Sequence, residues 1–253
     1  MRTSLSERQK IEENYHNTLY KNNDSGSGVT RTGESAFHQF RSLRGDVKGL
    51  RVLDFGCGSG WLSVELAKEG AAEVYGIDIS HELISKAAAF AEHAGQSEKL
   101  HFMKMPCEDL AFPDNYFDLI IGSAILHHTD LNKAIQNISR VLKRGGRALF
   151  IEPLNQNIFL KTWRRITPWR RSPVERALVA NDLKLILGTL PDSRLYFHYL
   201  LSIFTAGLII AFPNSKFIAL GNTVMEGFDN KILRRAPALR KYCAIVIMDL
   251  VKS

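Results

Sequence analysis

The stretch RVLDFGCGSG, residues Arg51–Gly60, decides the fold of this 253-residue chain. Its first half is a short apolar run typical of a buried strand, and its second half has glycine at positions 56, 58 and 60. Glycine suits a backbone that takes a positive φ or comes close to a bound molecule. We therefore predict a strand that ends in a tight loop before a helix. A sharp structural turn would use the same glycines; a nucleoside-containing ligand is the functional interpretation.

A second apolar run, Val74–Asp78, strengthens the functional interpretation. It ends on Asp78, eighteen residues beyond Gly60. In a βαβ nucleotide site, an acidic side chain about 20 residues after the glycine loop accepts hydrogen bonds from the ribose hydroxyls. Both parts of such a site are present in the expected order.

The glycine spacing indicates which nucleoside ligand to expect. The third glycine of a dinucleotide fingerprint would fall on Trp61, and the chain has no Gly-x-x-x-x-Gly-Lys-Ser/Thr phosphate loop. The pattern Asp54-x-Gly56-x-Gly58-x-Gly60 resembles instead the first motif of class I S-adenosylmethionine-dependent methyltransferases. The resemblance covers about residues 50–153 and continues through four later motifs: Gly76–Ser80, Phe112–Ile120, Leu126–His128 and Arg140–Arg147.

Alternating apolar runs and helical patterns from Leu50 to Ile151 predict an α/β fold. We expect strands near 51–55, 73–77, 100–104, 117–121 and 147–151, and helices near 60–69, 80–94 and 131–142. The resemblance implies a Rossmann-like, seven-stranded, mostly parallel sheet with helices on both faces and a last antiparallel pair near 194–200 and 244–251. It implies an N-terminal helical lid (1–45), a cofactor-binding core (46–153) and a C-terminal part (154–253) with a helical insertion at about 203–238.

Ligands in such sheets bind beyond the carboxyl ends of the strands. By resemblance, S-adenosylmethionine is the cofactor: the loop containing Asp54, Gly56, Cys57, Gly58 and Gly60 meets its methionine part. Asp78 meets the ribose, with Ile79 beside the adenosine. A backbone N–H near Cys107 and an acidic side chain read the adenine. Pro106 occupies the usual acidic position of that loop, so Glu108 or Asp109 is the expected substitute. The turn Gly122–His128, including Ser123, completes the wall, and no metal is expected.

Two adjacent histidines, His127 and His128, are the candidate catalytic bases. They follow the fourth predicted strand, where cofactor and acceptor should meet, and histidine titrates near neutral pH. A shared packing role for this Leu-His-His pattern is the alternative, and His128 is the better candidate. Cys57 and Cys107 have no helper base in the sequence, so neither is expected to be a nucleophile. Residues 6–23 should form a first helix with a narrow apolar stripe of Ile11, Tyr15, Leu19 and Tyr20. This helix either simply packs on the domain or, as the resemblance implies, closes over the cofactor as a lid. Its lid candidates are Tyr15 and His16, and Phe37 and His38 further along the chain are two more.

Composition and the C-terminal residues address the acceptor. The net charge of +7 favours an acidic partner or membrane surface, while three unpaired-looking cysteines and a polar N-terminus indicate the cytoplasm. The basic Trp/Arg segment Lys161–Arg171 suits an anionic lipid, an RNA or a plain solvated helix face. The apolar run Leu200–Phe212 is too short to span a bilayer.

We therefore predict a methyltransferase acting on oxygen or carbon of a small, hydrophobic or lipid-like acceptor, with peripheral membrane contact as one option. An RNA methyltransferase and a non-catalytic S-adenosylmethionine-binding module are the alternatives, and no nucleic-acid module is visible in the sequence to favour the first.

Overall fold

In the computed structural model, which describes residues 5–21, 34–168, 172–212 and 215–253, seven strands form one sheet. They are β1 (Arg51–Phe55), β2 (Glu73–Asp78), β3 (Leu100–Lys104), β4 (Phe117–Ser123), β5 (Leu142–Pro153), β6 (Arg194–His198) and β7 (Ile245–Val251). Their order is β3-β2-β1-β4-β5-β7-β6. The first five are parallel, and β7 runs antiparallel to both of its neighbours. The predicted fold class is confirmed.

Helices cover both faces of this sheet. They are α1 (Glu7–Lys21), α2 (Glu34–Arg44), α3 (Trp61–Lys68), α4 (His81–His93), α5 (Leu131–Val141), α6 (Ile158–Ile166), α7 (Ala180–Thr189), α8 (Ile203–Ala211) and α9 (Lys216–Arg235). Successive residues of β1 point to opposite faces, so Val52 joins the core under α2 and α3 while Leu53 joins the core under α5 and α7. Both faces of the strand are therefore buried, which explains its continuous apolar run.

One boundary differs from the sequence prediction. The helix expected over 131–142 ends at Val141, and β5 begins at Leu142 rather than near 147. Leu142 pairs with Phe117, and a register irregularity follows before Leu119 pairs with Arg147. Lys143 therefore lies on a strand, where its Nζ donates to Asp118 Oδ1 at 2.6 Å. Leu142 is apolar and suits the last turn of a helix as well as the start of a strand, so periodicity alone did not separate the two.

Helix α1 lies over the carboxyl end of the sheet and packs against α4. Ser80 Oγ donates to Asn17 Oδ1 at 2.7 Å, and Lys86 Nζ donates to the Tyr20 carbonyl at 2.6 Å. The apolar stripe of this helix is only partly buried: Tyr15 and Tyr20 are half-buried, but Ile11 and Leu19 are each 39% exposed. The buried face of the helix is polar instead. The last two residues of the predicted first helix, 22 and 23, lie outside the described residues.

The helices of the C-terminal part are held by two buried polar side chains. Asn157 Oδ1 accepts from the first backbone N–H groups of α6, and its Nδ2 donates to the carbonyls of Tyr199, Leu200 and Tyr242. Asp229 of α9 accepts from the backbone N–H groups of residues 200–202 and from Ser202 Oγ. The insertion is therefore fixed to the sheet, since each buried polar group has partners. None of the helices in the described ranges combines the length and the apolar content needed to cross a bilayer.

Candidate cofactor and acceptor site

The glycine loop lies at the carboxyl end of β1, beside the point where the strand order reverses between β1 and β4. Gly56, Gly58 and Gly60 have φ values of 76°, 53° and 80°. A Cβ on Gly58 would meet nothing within 4 Å, so this part of the loop faces open space. A Cβ on Gly60 would lie 2.8 Å from the Cβ of Ala87, so Gly60 allows α3 and α4 to pack closely. Gly60 does not line the cavity described below.

Asp78 joins the glycine loop to the end of β2. Its Oδ2 accepts from the Gly58 backbone N–H at 3.0 Å, and its Oδ1 accepts from the Ser80 N–H at 2.8 Å. Burial raises the pKa of this carboxyl, and the two hydrogen bonds oppose the rise. The carboxylate therefore fixes both loops and still has lone pairs available toward the adjoining cavity.

A cavity of about 290 Å³ opens in front of these two loops. The sequence-predicted site residues that line it are Asp54, Gly56, Cys57, Gly58, Asp78, Ile79, Cys107, Glu108, Ser123, His127 and His128. Helix α1 contributes Gln9, Glu12, His16 and Tyr20 to the same wall. The fold thus brings together all the predicted residues except Gly60. Of the lid candidates, His16 lines the cavity, whereas Tyr15, Phe37 and His38 do not.

The cavity is acidic. Four carboxyl groups line it, on Glu12, Asp54, Asp78 and Glu108, and none of its described lining residues is Lys or Arg. Burial and the nearby Asp78 raise the pKa of Asp54 to about 7, although Ser63 Oγ donates to its Oδ2 at 2.5 Å. Carboxylates repel one another in such a site and favour a cationic ligand. The pyrophosphate of a dinucleotide would have no cation to neutralise it here.

The loop after β3 places Glu108, and not Asp109, at the cavity. Glu108 is buried and lines the wall, while Asp109 is exposed. Glu108 Oε2 accepts from Gln9 Nε2 at 3.1 Å, and its Oε1 accepts from the Asp130 N–H at 2.9 Å. Its carboxylate thus connects α1 to the start of α5. Of the two acidic side chains predicted to bind the adenine, only Glu108 lines the cavity. Its contact with the adenine stays a prediction.

His127 is held by a buried carboxylate that the sequence analysis missed. Its Nδ1 lies 2.7 Å from Glu152 Oε2. Glu152 Oε1 accepts from the backbone N–H groups of Ile125 and Leu126, so one carboxylate of β5 holds the whole turn after β4. This arrangement favours the packing interpretation of His127.

His128 faces helix α1. Its Nδ1 lies 3.1 Å from Glu12 Oε2, and its Nε2 lies 3.7 Å from Glu175 Oε2. Burial lowers the pKa of His128, with the Glu12 contact opposing this, so the ring is neutral at neutral pH. Burial would raise the pKa of Glu12, but hydrogen bonds from His128 and His16 outweigh it and lower the value to about 2. The ionised Glu12 therefore requires the proton of His128 on Nδ1, and Nε2, 3.7 Å from Glu175 Oε2, is then the unprotonated nitrogen that can accept a proton.

Two buried side-chain atoms of helix α1 have no hydrogen-bond partner: Glu12 Oε1 and His16 Nδ1. Glu12 is only 3% exposed. Because unsatisfied buried polar groups are costly, these atoms indicate that a polar ligand completes the site. Gln9, Glu12, His16 and Tyr20 follow at spacings of three and four along α1, so a polar helical stripe was the signal available in the sequence.

The two cysteines of the wall lie in surroundings that disfavour the thiolate form. Burial raises the pKa of both thiols, Cys57 and Cys107, well above the ordinary value, and nearby carboxylates raise it further. Both therefore remain protonated, small wall residues. In the basic Trp/Arg segment, Trp163 lies on α6 and is 50% exposed, while Trp169, Arg170 and Arg171 lie outside the described residues.

Comparison with known proteins identifies the same region. Residues 53–150 match the family model of a methyltransferase domain, so the resemblance is confirmed over this range. A sterol 24-C-methyltransferase of Aspergillus fumigatus is 38% identical over 110 residues, which are 43% of this chain and 29% of that protein. The chain therefore matches less than a third of that relative's length.

Two solved structures share the fold over nearly the whole chain. The geranyl diphosphate C-methyltransferase of Streptomyces coelicolor, solved with S-adenosylhomocysteine, has a TM-score of 0.66 and 12% identity, and the match covers 99% of this chain and 100% of that one. The cyclase SpnF has a TM-score of 0.64 and 18% identity, with 98% of each chain covered. At these identities the similarity shows the fold.

Proposed function

We propose that this chain, whose residues 53–150 form a methyltransferase domain with the class I S-adenosylmethionine-dependent fold, transfers a methyl group from S-adenosylmethionine to a small apolar acceptor. The observation that carries the proposal is the acidic cavity at the carboxyl ends of β1 and β2, with Asp78 and the open Gly58 backbone in its wall. S-adenosylmethionine has a net positive charge, and its sulfonium supplies an electrophilic methyl group.

The residues present fit this cofactor. Asp78 has lone pairs for the ribose hydroxyls, and the open space at Gly58 accommodates the amino-acid part against the loop. Glu108 lies at the adenine end predicted from the sequence. The unpartnered Glu12 Oε1 supplies a further acceptor in the wall. Together the four carboxyl groups of the wall attract the net positive charge of the cofactor.

We assign His128 as the base that removes a proton from the acceptor. Its neutral ring, its Nδ1 contact with Glu12 and its place in the cavity wall support this role over His127, which Glu152 holds. His128→Ala should lower turnover by about 10²- to 10⁴-fold while S-adenosylhomocysteine binding stays within a few-fold of wild type. His127→Ala is the matched variant and should mainly lower the free energy of unfolding. Unchanged turnover in His128→Ala would remove the base assignment.

An apolar acceptor is supported by similar proteins and by the C-terminal helices. Two of these proteins are named for methyl transfer to a sterol and to geranyl diphosphate, both of which have isoprenoid skeletons. Helices α6, α8 and α9 present many exposed apolar side chains on this part of the chain. Purified protein with methyl-labelled cofactor should label the lipid extract of a cell rather than its polar metabolites or RNA. Label in the polar or RNA fraction alone would refute the apolar acceptor.

A second candidate is a protein that binds the cofactor without transferring its methyl group. The similarity to a cyclase of the same fold favours considering it, because the fold supports more than one chemistry. Production of S-adenosylhomocysteine in the presence of a cell extract would exclude this candidate. Cofactor binding without any such production, over all the fractions above, would favour it.

A further inference from the structure

The C-terminal helices carry nine exposed apolar side chains, which we call the apolar face: Ile158, Phe159, Trp163 and Ile166 of α6, Phe204 of α8, and Phe217, Leu220, Val224 and Phe228 of α9. Phe217 is 89% exposed and Ile158 is 70% exposed. We propose that this apolar face docks on the surface of an anionic lipid bilayer. Large exposed apolar patches on folded proteins mark interaction surfaces.

Helix α9 shows most clearly that the exposure belongs to the fold. Its exposed side chains at 217, 220, 224 and 228 follow one another at spacings of three and four, so they form one stripe. The opposite side of the helix holds Asp229 and Leu233, both buried, and Asn222, which bonds to Thr205 of α8. The helix is therefore amphipathic with a polar anchor inside and its apolar stripe outside, the reverse of a helix that covers a core.

The helices that carry the face are joined. The rings of Phe159 and Phe204 meet edge to face with centroids 4.9 Å apart, which connects α6 to α8. Helices α8 and α9 pack along each other. The buried Asn157 and Asp229 fix the starts of α6 and α8 through the hydrogen bonds described above. The apolar face thus lies on three helices whose positions are fixed by buried hydrogen bonds.

The charges around the face select an anionic partner. The basic residues of these helices are Lys161, Arg164, Arg165, Lys216, Lys231, Arg234 and Arg235. The acids of α6, α8 and α9 are Glu226 and Asp229, and both are engaged inward: Glu226 accepts from Ser35 Oγ, and Asp229 is buried. Apolar side chains flanked by Lys and Arg are the pattern of helices that lie in the interface of an anionic membrane.

A lipid surface explains the face better than a second copy of the chain. A symmetric dimer through this face would bring two sets of like charges together with no exposed acid on these helices to pair with them. An anionic headgroup layer pairs with the same cations, while its acyl boundary takes up the phenylalanine and leucine side chains. The inference concerns where the protein binds and goes beyond the proposed methyl transfer.

Vesicle co-sedimentation tests this docking. Wild-type protein should bind vesicles of phosphatidylcholine mixed with phosphatidylglycerol, and bind vesicles of phosphatidylcholine alone much more weakly. Phe217→Glu combined with Leu220→Glu should weaken binding to the anionic vesicles more than about tenfold, because each removes a large apolar side chain from the interface. Phe90→Glu is the matched control, since Phe90 of α4 is 42% exposed and lies outside the apolar face. It should bind like wild type.

Variants that remove basic side chains of α9 test the contribution of charge to membrane binding. Lys231→Gln with Arg235→Gln should weaken binding to anionic vesicles, by roughly fivefold for each residue removed, and added salt should do the same. Lys68→Gln with Lys99→Gln, at exposed positions at the end of α3 and just before β3, is the control. Equal binding of wild type and the α9 apolar variant would overturn the proposal. So would a stable dimer, detected by light scattering, that the apolar variant dissociates while neither form binds vesicles.

A titration with S-adenosylhomocysteine separates this inference from the proposed function. The α9 variants should bind it as wild type does, because the apolar face and the cavity share no residue. Lost vesicle binding with retained cofactor binding therefore tests the face alone.

Discussion

Replacement of Asp54 by asparagine tests whether the cavity is built around a cation. Asp54 lies at the end of β1, is 2% exposed and accepts from Ser63 Oγ. Asparagine keeps the shape and can keep this hydrogen bond, but it carries no charge. In the ligand-free protein the substitution should therefore increase stability, and it should weaken binding of a cationic cofactor.

The size of the effect follows from the pKa. Burial raises the pKa of Asp54 from 3.8 to about 7. The unfolded chain loses this proton near its ordinary pKa, whereas the folded protein keeps it up to the raised value. Stability of the wild type is therefore lost as the pH rises between these two values. Each pKa unit corresponds to about 1.4 kcal/mol. The loss in the free energy of unfolding of the wild type is therefore at most about 2 kcal/mol near pH 5 and about 4 kcal/mol above pH 7.

Urea denaturation of the two proteins at about pH 5 and about pH 8.5 measures this directly. The variant should be the more stable protein, and its advantage should grow with pH. Asp249→Asn provides a control of opposite sign, because the buried Asp249 is paired with Arg147 at 2.9 Å and its replacement should destabilise. The reasoning is refuted if Asp54→Asn is less stable than wild type at the higher pH, or if the difference does not change with pH.

Three further substitutions probe separate parts of the site. Asp78→Asn should weaken S-adenosylmethionine binding by roughly 10- to 100-fold in a calorimetric titration, because a charged acceptor is lost; unchanged affinity would remove Asp78 from the site. Gly56→Ala should lower the urea midpoint more than Gly95→Ala does, because both positions have positive φ but only at Gly56 would a Cβ lie 2.4 Å from Ile125; equal losses would argue against this contact. Glu152→Gln should cost about 2 kcal/mol or more of unfolding free energy, because two backbone N–H groups and His127 lose a charged partner; a neutral result would contradict the role of Glu152 in the turn.

The strand, loop and carboxylate of the cofactor site could be predicted from the sequence because their signals are local. Gly58 and Asp78 occupy positions fixed by backbone conformation and by the length of one βα unit. The fold then brings the Gly58 backbone nitrogen to 3.0 Å from Asp78 Oδ2, as the spacing indicates. Apolar runs likewise located the first five strands of the sheet, with the exception of the start of β5, whereas the last two strands were expected from the family resemblance.

The remaining parts depend on long-range partners that the sequence pattern does not carry. Glu12 is buried only because the lid helix meets His128, more than a hundred residues away. Glu152 is buried under the turn of His127, and nothing in its own neighbourhood distinguishes it from a surface carboxylate. On α9 the apolar stripe is exposed because Asp229 anchors the other side. In each case tertiary contacts reverse the expectation that polar side chains face water.

The most direct test of the account is a calorimetric titration of the wild-type protein with S-adenosylmethionine, run beside one with NAD⁺. The account expects one S-adenosylmethionine bound per chain, tighter at about pH 8 than at about pH 6 because Asp54 must lose its proton to face the cation, with no binding of the dinucleotide. Binding of NAD⁺ in preference to S-adenosylmethionine, or no S-adenosylmethionine binding by the folded protein, would contradict it.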